Sequence, residues 1–193
     1  AVANLKAIVA ECWPKGQDEK PYEPSPPLFT FSDTPTKGKE AAVAIVVDYG
    51  VIPHAEPLEK VQPSLLGCYR ASYTYDPETR QYARWYGGEP QMSYDGKTRV
   101  TAANVIVQYC VQEYFDGAPS RPVTQTTGSG PIDAFIDGTH VRGTWRRDTV
   151  CDKTQFLDGD GNPLVLLPGK TFIQMVPPDM AITFTAEESG LTL

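Results

Sequence analysis

The segment DGDGNP, from Asp158 to Pro163, has the residue types that begin a calcium-binding loop. Aspartate and asparagine at alternate positions supply the oxygen ligands that Ca²⁺ prefers. An EF-hand loop also needs glycine at its sixth position and a bidentate glutamate at its twelfth. Here those positions hold Pro163 and Gly169. The segment is therefore predicted to be a turn between two strands, and no metal or cofactor is assigned to the chain.

The segment TTGSGP, residues 126–131, contains a serine that could be a nucleophile. A nucleophile elbow G-x-S-x-G around Ser129 needs glycine at positions 127 and 131, which hold Thr127 and Pro131. No G-K-[ST] follows, so the segment is not a phosphate-binding loop either. The paired acids Glu187 and Glu188 lie in a polar tail. We therefore assign no catalytic residue from the sequence.

Aromatic residues cluster on two alternating segments, CYRASYTYD and QYARWYGG, which predict a hairpin around Asp76-Pro77. The cluster consists of Tyr69, Tyr73, Tyr75, Tyr82, Trp85 and Tyr86. Flat aromatic surfaces can stack on sugars or peptides, and Tyr and Trp are enriched at interfaces. Cross-strand packing within the sheet is the alternative, and it is the commoner role of such residues. The candidate ligand-binding residues of this hairpin are Tyr73, Tyr75, Tyr82 and Trp85.

The segment PIDAFIDGTHVRGTWRR predicts a second hairpin with a two-residue Asp137-Gly138 turn. That turn places Phe135 opposite His140 and Asp133 opposite Arg142. One face of the hairpin is then apolar and is predicted to face the core; its members are Ile132, Ala134, Ile136, Val141 and Trp145. The other face is predicted to be exposed to solvent and carries Asp133, Phe135, His140, Arg142 and Arg146. His140 and Arg142 are the candidate ligand-binding residues there, and a solvent-facing role for His140 is favoured over a catalytic one.

The elements around these segments indicate one β-rich domain. The chain has 193 residues, with 18 Pro and 16 Gly spread along it, which is typical of short strands joined by turns. Residues 1–28 are predicted to be a helix and a proline-rich connector, residues 29–187 a single β-rich domain and residues 188–193 a tail. The predicted fold class is mostly β (β-rich α+β), with antiparallel hairpins forming a sandwich or an open barrel and one N-terminal helix. The segments AAVAIVVDYG (41–50) and NVIVQYCVQEYFDG (104–117) are each predicted to form one strand.

The formal charge of the chain is −7, from 17 Lys+Arg and 24 Asp+Glu. Nucleic acid is excluded as a partner, because binding to phosphates needs a basic face. The first residues read as the interior of a helix without a cap, so the chain is interpreted as a mature portion or a fragment of a longer protein.

Four cysteines lie at least 41 residues apart, at Cys12, Cys68, Cys110 and Cys151. Zinc sites bring their ligands in close pairs, which are absent from this sequence. An even number of distant cysteines favours two disulfides and an oxidising compartment, with four buried thiols as the alternative. Three pairings are possible, and we favour Cys110–Cys151 with Cys12–Cys68, because the first would tie a central strand to a later hairpin.

The order of the motifs resembles a known family. The segments SYTYDPETRQYARWYGGEP, TAANVIVQY, GSGPIDAFIDGTHVRGTW and FLDGDGNPLVLLPGKTFIQMVP follow one another as in the C-terminal domain of the YerB-type bacterial lipoprotein family, a domain of unknown function. The upstream PPLFTFSD resembles the connector before that domain. The resemblance covers roughly residues 26–180 and carries over no catalytic residue. It implies an extracytoplasmic domain, at the cell surface or secreted, that a lipid on a missing N-terminal part tethers to the membrane in the full-length protein.

These observations favour a non-catalytic envelope domain that binds a protein or a cell-wall polymer. The alternative is an enzyme that processes cell-wall glycan or peptide with carboxylates assembled by the fold. Two carboxylates with strongly perturbed pKa values in one cleft would favour the enzyme. A structural spacer is a third possibility.

Overall fold

A computed structural model describes residues 28–49, 70–115 and 118–187. The predicted N-terminal helix, the residue Tyr69 and the loop 51–65 lie outside these residues. Sixteen strands are present in the described part of the chain. Among the described residues there is no helix with the length and hydropathy needed to cross a membrane.

Two six-stranded sheets form most of the described fold. We call the first the central sheet; its strands are β2 (Glu40–Ala41), β8 (Asn104–Tyr109), β11 (Gly128–Ile136), β12 (Thr139–Arg147), β13 (Gln155–Asp158) and β15 (Thr171–Val176). We call the other the second sheet; its strands are β3 (Ala44–Asp48), β4 (Arg70–Asp76), β5 (Gln81–Tyr86), β6 (Glu89–Pro90), β7 (Thr101–Ala102) and β16 (Ile182–Thr185). Two smaller pairs join β1 (Thr30–Phe31) to β14 (Val165–Leu166) and β9 (Gln112–Phe115) to β10 (Ala118–Thr124).

The central sheet has the order β13-β12-β11-β8-β15, and β2 pairs with β12 beside β13. The second sheet has the order β16-β3-β4-β5-β6, with β7 also pairing with β5. Pairing within both sheets is antiparallel except between β8 and β15. The two sheets pack face to face and neither closes into a barrel, so the β-rich prediction is confirmed in the form of a sandwich.

Both predicted hairpins are confirmed, and the Asp137-Gly138 hairpin has the predicted register. In β11–β12, Phe135 pairs with His140 and Asp133 with Arg142. Asp137 and Gly138 have φ values of 49° and 71°, the left-handed conformation that a tight two-residue turn requires. In β4–β5, Tyr75 pairs with Tyr82 around the Asp76-Pro77 turn.

The core has two layers because the central sheet is covered on both faces. Alternate residues of β8 and β11 point to opposite faces, so Ile106 and Ile132 enter one layer while Val105 and Phe135 enter the other. The first layer contains the predicted core face; its buried members include Ile132, Ala134, Ile136, Val141, Trp145, Phe156 and Leu166. The second layer lies between the two sheets; its buried members include Ile45, Val47, Ala71, Tyr73, Tyr82, Val107 and Phe135.

Two predictions about strands and cysteines are wrong. The single strand predicted over 104–117 is two strands in different sheets, because β8 pairs with β11 and β15 whereas β9 pairs with β10. Cys110, between them, is a buried free thiol, so the predicted Cys110–Cys151 disulfide does not form. Burial in the first core layer explains why a thiol is stable at this position. Cys12 and Cys68 lie outside the described residues.

The segment DGDGNP forms a turn after β13. The carboxylate of Asp158 accepts hydrogen bonds from the backbone N–H groups of Asp160 and Asn162, at 3.0 and 2.9 Å. Asp158 also donates its own N–H to the Asn162 carbonyl oxygen at 2.8 Å. These bonds close the turn within the segment, which is the role that the sequence predicts.

Candidate functional site

The four aromatic candidates do not form one binding surface. Tyr73 and Tyr82 are fully buried in the core layer between the sheets. Tyr75 packs beside Tyr82, with ring centroids 5.0 Å apart, and donates a hydrogen bond from its hydroxyl to Asp137 at 2.8 Å. Trp85 instead donates to the Thr74 hydroxyl at 3.2 Å, and its ring lies 4.4 Å from the Arg99 guanidinium. Three of the four therefore have cross-strand partners inside the sandwich.

His140 is buried, which corrects the prediction that it faces solvent. Only 4% of its surface is exposed. Its ring stacks on the Phe135 ring, with centroids 5.2 Å apart, and contacts the Phe184 ring of β16, with centroids 4.3 Å apart. The hairpin face that carries Phe135 and His140 is covered by the second sheet, whereas Arg142, two residues farther along β12, is exposed.

A chain of four polar side chains runs through this buried histidine. The Tyr109 hydroxyl donates to Asp133 Oδ2 at 2.7 Å. Asp133 Oδ1 lies 2.6 Å from His140 Nε2, and His140 Nδ1 lies 3.2 Å from Glu40 Oε2. Glu40 reaches solvent, with 63% of its side chain exposed, while the His140 side chain is 2% exposed. The chain thus connects the surface to the interior of the sandwich through adjacent strands β2, β12, β11 and β8.

The two carboxylates favour the protonated form of His140. Burial alone would lower the pKa of His140, but hydrogen bonds and charges from Asp133 and Glu40 outweigh it, and the pKa is raised above its usual value. Burial alone would raise the pKa of Asp133; hydrogen bonds from His140 and Tyr109 outweigh this and lower it. Both ring nitrogens of the imidazolium are donors, so each has a carboxylate acceptor.

We expect the stability conferred by His140 to depend on pH in a defined direction. A histidine with a raised folded pKa contributes fully below its unfolded pKa of about 6.5, and this contribution is lost as pH rises through the folded pKa. The difference in free energy of unfolding between the wild type and His140→Gln should therefore be larger at pH 6 than at pH 9. Urea denaturation of both proteins across this range measures the difference.

The same variant provides the control for a direct titration. The chain has two histidines, so the NMR signal lost in His140→Gln assigns the other to His54. The His140 signal should titrate above the usual histidine range, because its pKa is raised. A His140 signal that titrates below that range would contradict the proposed ion pair.

An open pocket of about 480 Å³ lies at the exposed end of this polar chain. Residues 36–40, 140–142 and 158–160 line it. Such a volume is within the range of pockets that bind small ligands. His140 is part of the lining, and Glu40, its partner, stands at the opening.

The strand pairing creates this pocket. On the outer edge of β12, β2 pairs only as far as His140, and β13 begins to pair at Gly143. Val141 and Arg142 between them have no strand partner on that edge among the described strands. The pocket therefore lies over a two-residue gap, with the segment before β2 as one wall and the turn after β13 as the other.

Gly38 brings the first wall into close contact with β12. A Cβ atom at this position would lie 1.8 Å from the carbonyl oxygen of His140, which is too close for any side chain. The N–H of Gly38 donates to the Thr139 hydroxyl at 2.9 Å. Glycine is thus required where the wall meets the strand.

The charged side chains of the pocket are not all neutralised by one another. Lys37, Lys39 and Arg142 line the pocket, and none of them forms a salt bridge with another described residue. Among the acids, Glu40 bonds to His140, and the carboxylate of Asp158 is held by its own turn. The basic groups are therefore available to a ligand.

Sequence reasoning found part of this site and missed the rest. It placed His140 and Arg142 as candidates, and both line the pocket. Asp133 was placed opposite Arg142, but its carboxylate bonds diagonally to His140. The predicted register already placed Asp133 and His140 diagonally across the hairpin, so their contact could have been predicted from the sequence. Glu40 lies 100 residues from His140, and nothing in the local pattern joins them.

Comparisons with known proteins give a family and a fold. A family model described as "Protein of unknown function (DUF3048) C-terminal domain" matches residues 65–173. The crystal structure of the YerB protein from Bacillus subtilis is similar, with a TM-score of 0.61 and 19% sequence identity; the match covers 93% of this chain and 52% of that chain. This chain therefore spans about half the length of the YerB chain that it matches. None of the curated proteins matches it.

Proposed function

Because the chain belongs to the family of the DUF3048 C-terminal domain, the YerB-type domain of unknown function, we propose that it is an extracytoplasmic binding module that holds its partner in the pocket on β12. The partner is an envelope protein or a cell-wall polymer. The resemblance to envelope lipoproteins supports the location. The family resemblance also supports the proposal that a lipid tethers the full-length protein to the membrane.

One observation carries this proposal: the pocket presents exposed basic side chains without a salt bridge to a described residue, although Lys37 and Arg142 interact electrostatically with Asp137 and Asp133. Lys37, Lys39 and Arg142 are exposed and have no salt-bridge partner among the described residues. Exposed cations beside a concave surface can meet carboxylate or phosphate groups of a partner. A purely structural spacer has no need of such a pocket.

The pKa values of the carboxylates favour binding over catalysis. A wall-processing enzyme with paired carboxylates needs one of them protonated near neutral pH, as a general acid with a raised pKa. Desolvation raises the pKa of Asp133, but its hydrogen bonds outweigh this and lower it, and a hydrogen bond from the Asn162 backbone lowers that of Asp158. Both groups are therefore ionised and engaged in holding the fold.

The proposal can be tested by co-sedimentation with purified bacterial peptidoglycan sacculi. We expect the wild type to sediment with the sacculi at low salt, and the Lys39→Gln/Arg142→Gln double variant to bind about fivefold or more weakly, because two exposed cations are lost. Lys97→Gln is the matched control, since Lys97 is an exposed lysine on the loop between β6 and β7. Equal sedimentation of all three proteins would contradict a role for the pocket. No sedimentation at all would remove the wall polymer as the partner and leave an envelope protein.

A further inference from the structure

From the charges of the pocket walls, and resting on the proposed function, we infer that the pocket binds a short zwitterionic peptide rather than a polyanion. The carboxylate of the peptide lies at the basic wall and its ammonium group at the acidic wall. This names the ligand class of the site, since a wall peptide can supply the two groups, and so can a protein end whose terminus provides one of them and a side chain the other.

The two walls carry opposite charges. The wall before β2 contributes Lys37 and Lys39, and its acid, Glu40, is bonded to His140. The wall after β13 contributes Asp158 and Asp160 and no basic residue. A ligand that spans the pocket thus meets a cationic group on one side and an anionic group on the other.

Asp160 is the acid that remains available for an ammonium group. The Asp158 carboxylate accepts two backbone hydrogen bonds from its own turn. The Asp160 side chain is exposed, and it forms no salt bridge within the described part of the chain. A phosphate-rich polymer would bring negative charge against both aspartates, and this repulsion disfavours a polyanion.

The floor of the pocket suits a peptide of about two residues. The gap in pairing along β12 covers Val141 and Arg142. Extended chain rises about 3.3 Å per residue, so two residues span roughly 7 Å. A strand edge without a partner offers main-chain groups that a peptide can pair with, as in strand addition.

The test is an NMR titration of the whole chain with L-alanyl-L-alanine, with its N-acetylated form and with its C-terminal amide. We expect amide shifts at Lys39, Val141 and Gly159 that saturate with the free dipeptide. Each capped form should bind about three- to fivefold more weakly, because each loses one exposed ionic contact. Inorganic phosphate should not displace the dipeptide.

Charge variants match the two caps. Asp160→Asn should weaken binding of the free dipeptide about three- to fivefold. It should weaken binding of the C-terminal amide by the same factor, because both ligands carry the ammonium group. Lys37→Gln/Lys39→Gln should weaken the free dipeptide and the N-acetyl form, and Lys97→Gln should change neither. An N-acetylated form that binds as tightly as the free dipeptide, or displacement by phosphate, would overturn the inference in favour of an anion site. If no dipeptide binds while sacculi still sediment in a pocket-dependent way, this inference fails and the proposed function stands. If both assays fail, this inference is wrong and so is the wall-polymer form of the proposed function.

Discussion

Replacing Asp133 with alanine is expected to lower the free energy of unfolding by about 3 to 5 kcal/mol. Asp133 accepts hydrogen bonds from His140 at 2.6 Å and from Tyr109 at 2.7 Å. Without it, the imidazolium of His140 keeps only the more distant Glu40, and the Tyr109 hydroxyl loses its acceptor. A buried charge that loses its partner costs far more than an exposed pair does. Guanidinium denaturation at pH 7 measures the difference.

Asp148→Ala is the matched control for this substitution. Asp148 also accepts from a cation, Arg146, at 2.8 Å, but both side chains are 61% exposed. Its loss should change the free energy of unfolding far less than Asp133→Ala does, because solvent screens an exposed pair. If Asp133→Ala costs no more than Asp148→Ala, the buried polar chain contributes nothing to stability and the interpretation is wrong.

A double-mutant cycle separates the ion pair from the packing around it. His140→Phe keeps an aromatic ring between Phe135 and Phe184 while it removes the charge. The double variant Asp133→Ala/His140→Phe should therefore lose less stability than the sum of the two single variants, because no unpaired charge is left buried.

The register of the β11–β12 hairpin could be predicted from the sequence because turn chemistry is local. Asp137-Gly138 permits the left-handed conformation at both turn positions, and once the turn is placed every pair along β11 and β12 is determined. The alternation then identifies one apolar face correctly. Whether the opposite face is covered depends on another sheet, and that is not a local property.

Phe135 and His140 illustrate why the predicted site was only partly correct. A hairpin face that carries one aromatic residue, a histidine and two arginines is typically exposed to solvent, and the sequence therefore predicted an exposed face. In the folded chain, Phe184 of β16 lies against both rings. Phe184 lies 44 residues after His140 in the chain, and their contact follows from the packing of two sheets. The same applies to the pocket, because its walls come from segments that are about 120 residues apart in the chain.

Tyr73→Ala is expected to lower the free energy of unfolding by about 3 to 5 kcal/mol, and to reduce ligand binding only through the loss of folded protein. Tyr73 has no exposed surface, and its ring packs against Phe172 with centroids 6.0 Å apart. Its hydroxyl oxygen accepts hydrogen bonds from Gln174 Nε2 at 2.7 Å and Arg84 Nε at 3.2 Å. The substitution therefore leaves a cavity between the sheets together with two buried donors that lack an acceptor.

Tyr73→Phe isolates the hydroxyl from the ring. It keeps the packing with Phe172 and should cost about 1 to 3 kcal/mol, the penalty for leaving the donors of Arg84 and Gln174 unsatisfied. Denaturation of both variants, with sacculus binding measured on the fraction that remains folded, separates packing from recognition. If Tyr73 acts only in the core, its loss can reduce binding only by unfolding the protein. A Tyr73→Ala protein that stays fully folded but no longer binds would therefore place the ligand on the aromatic hairpin instead of the β12 pocket.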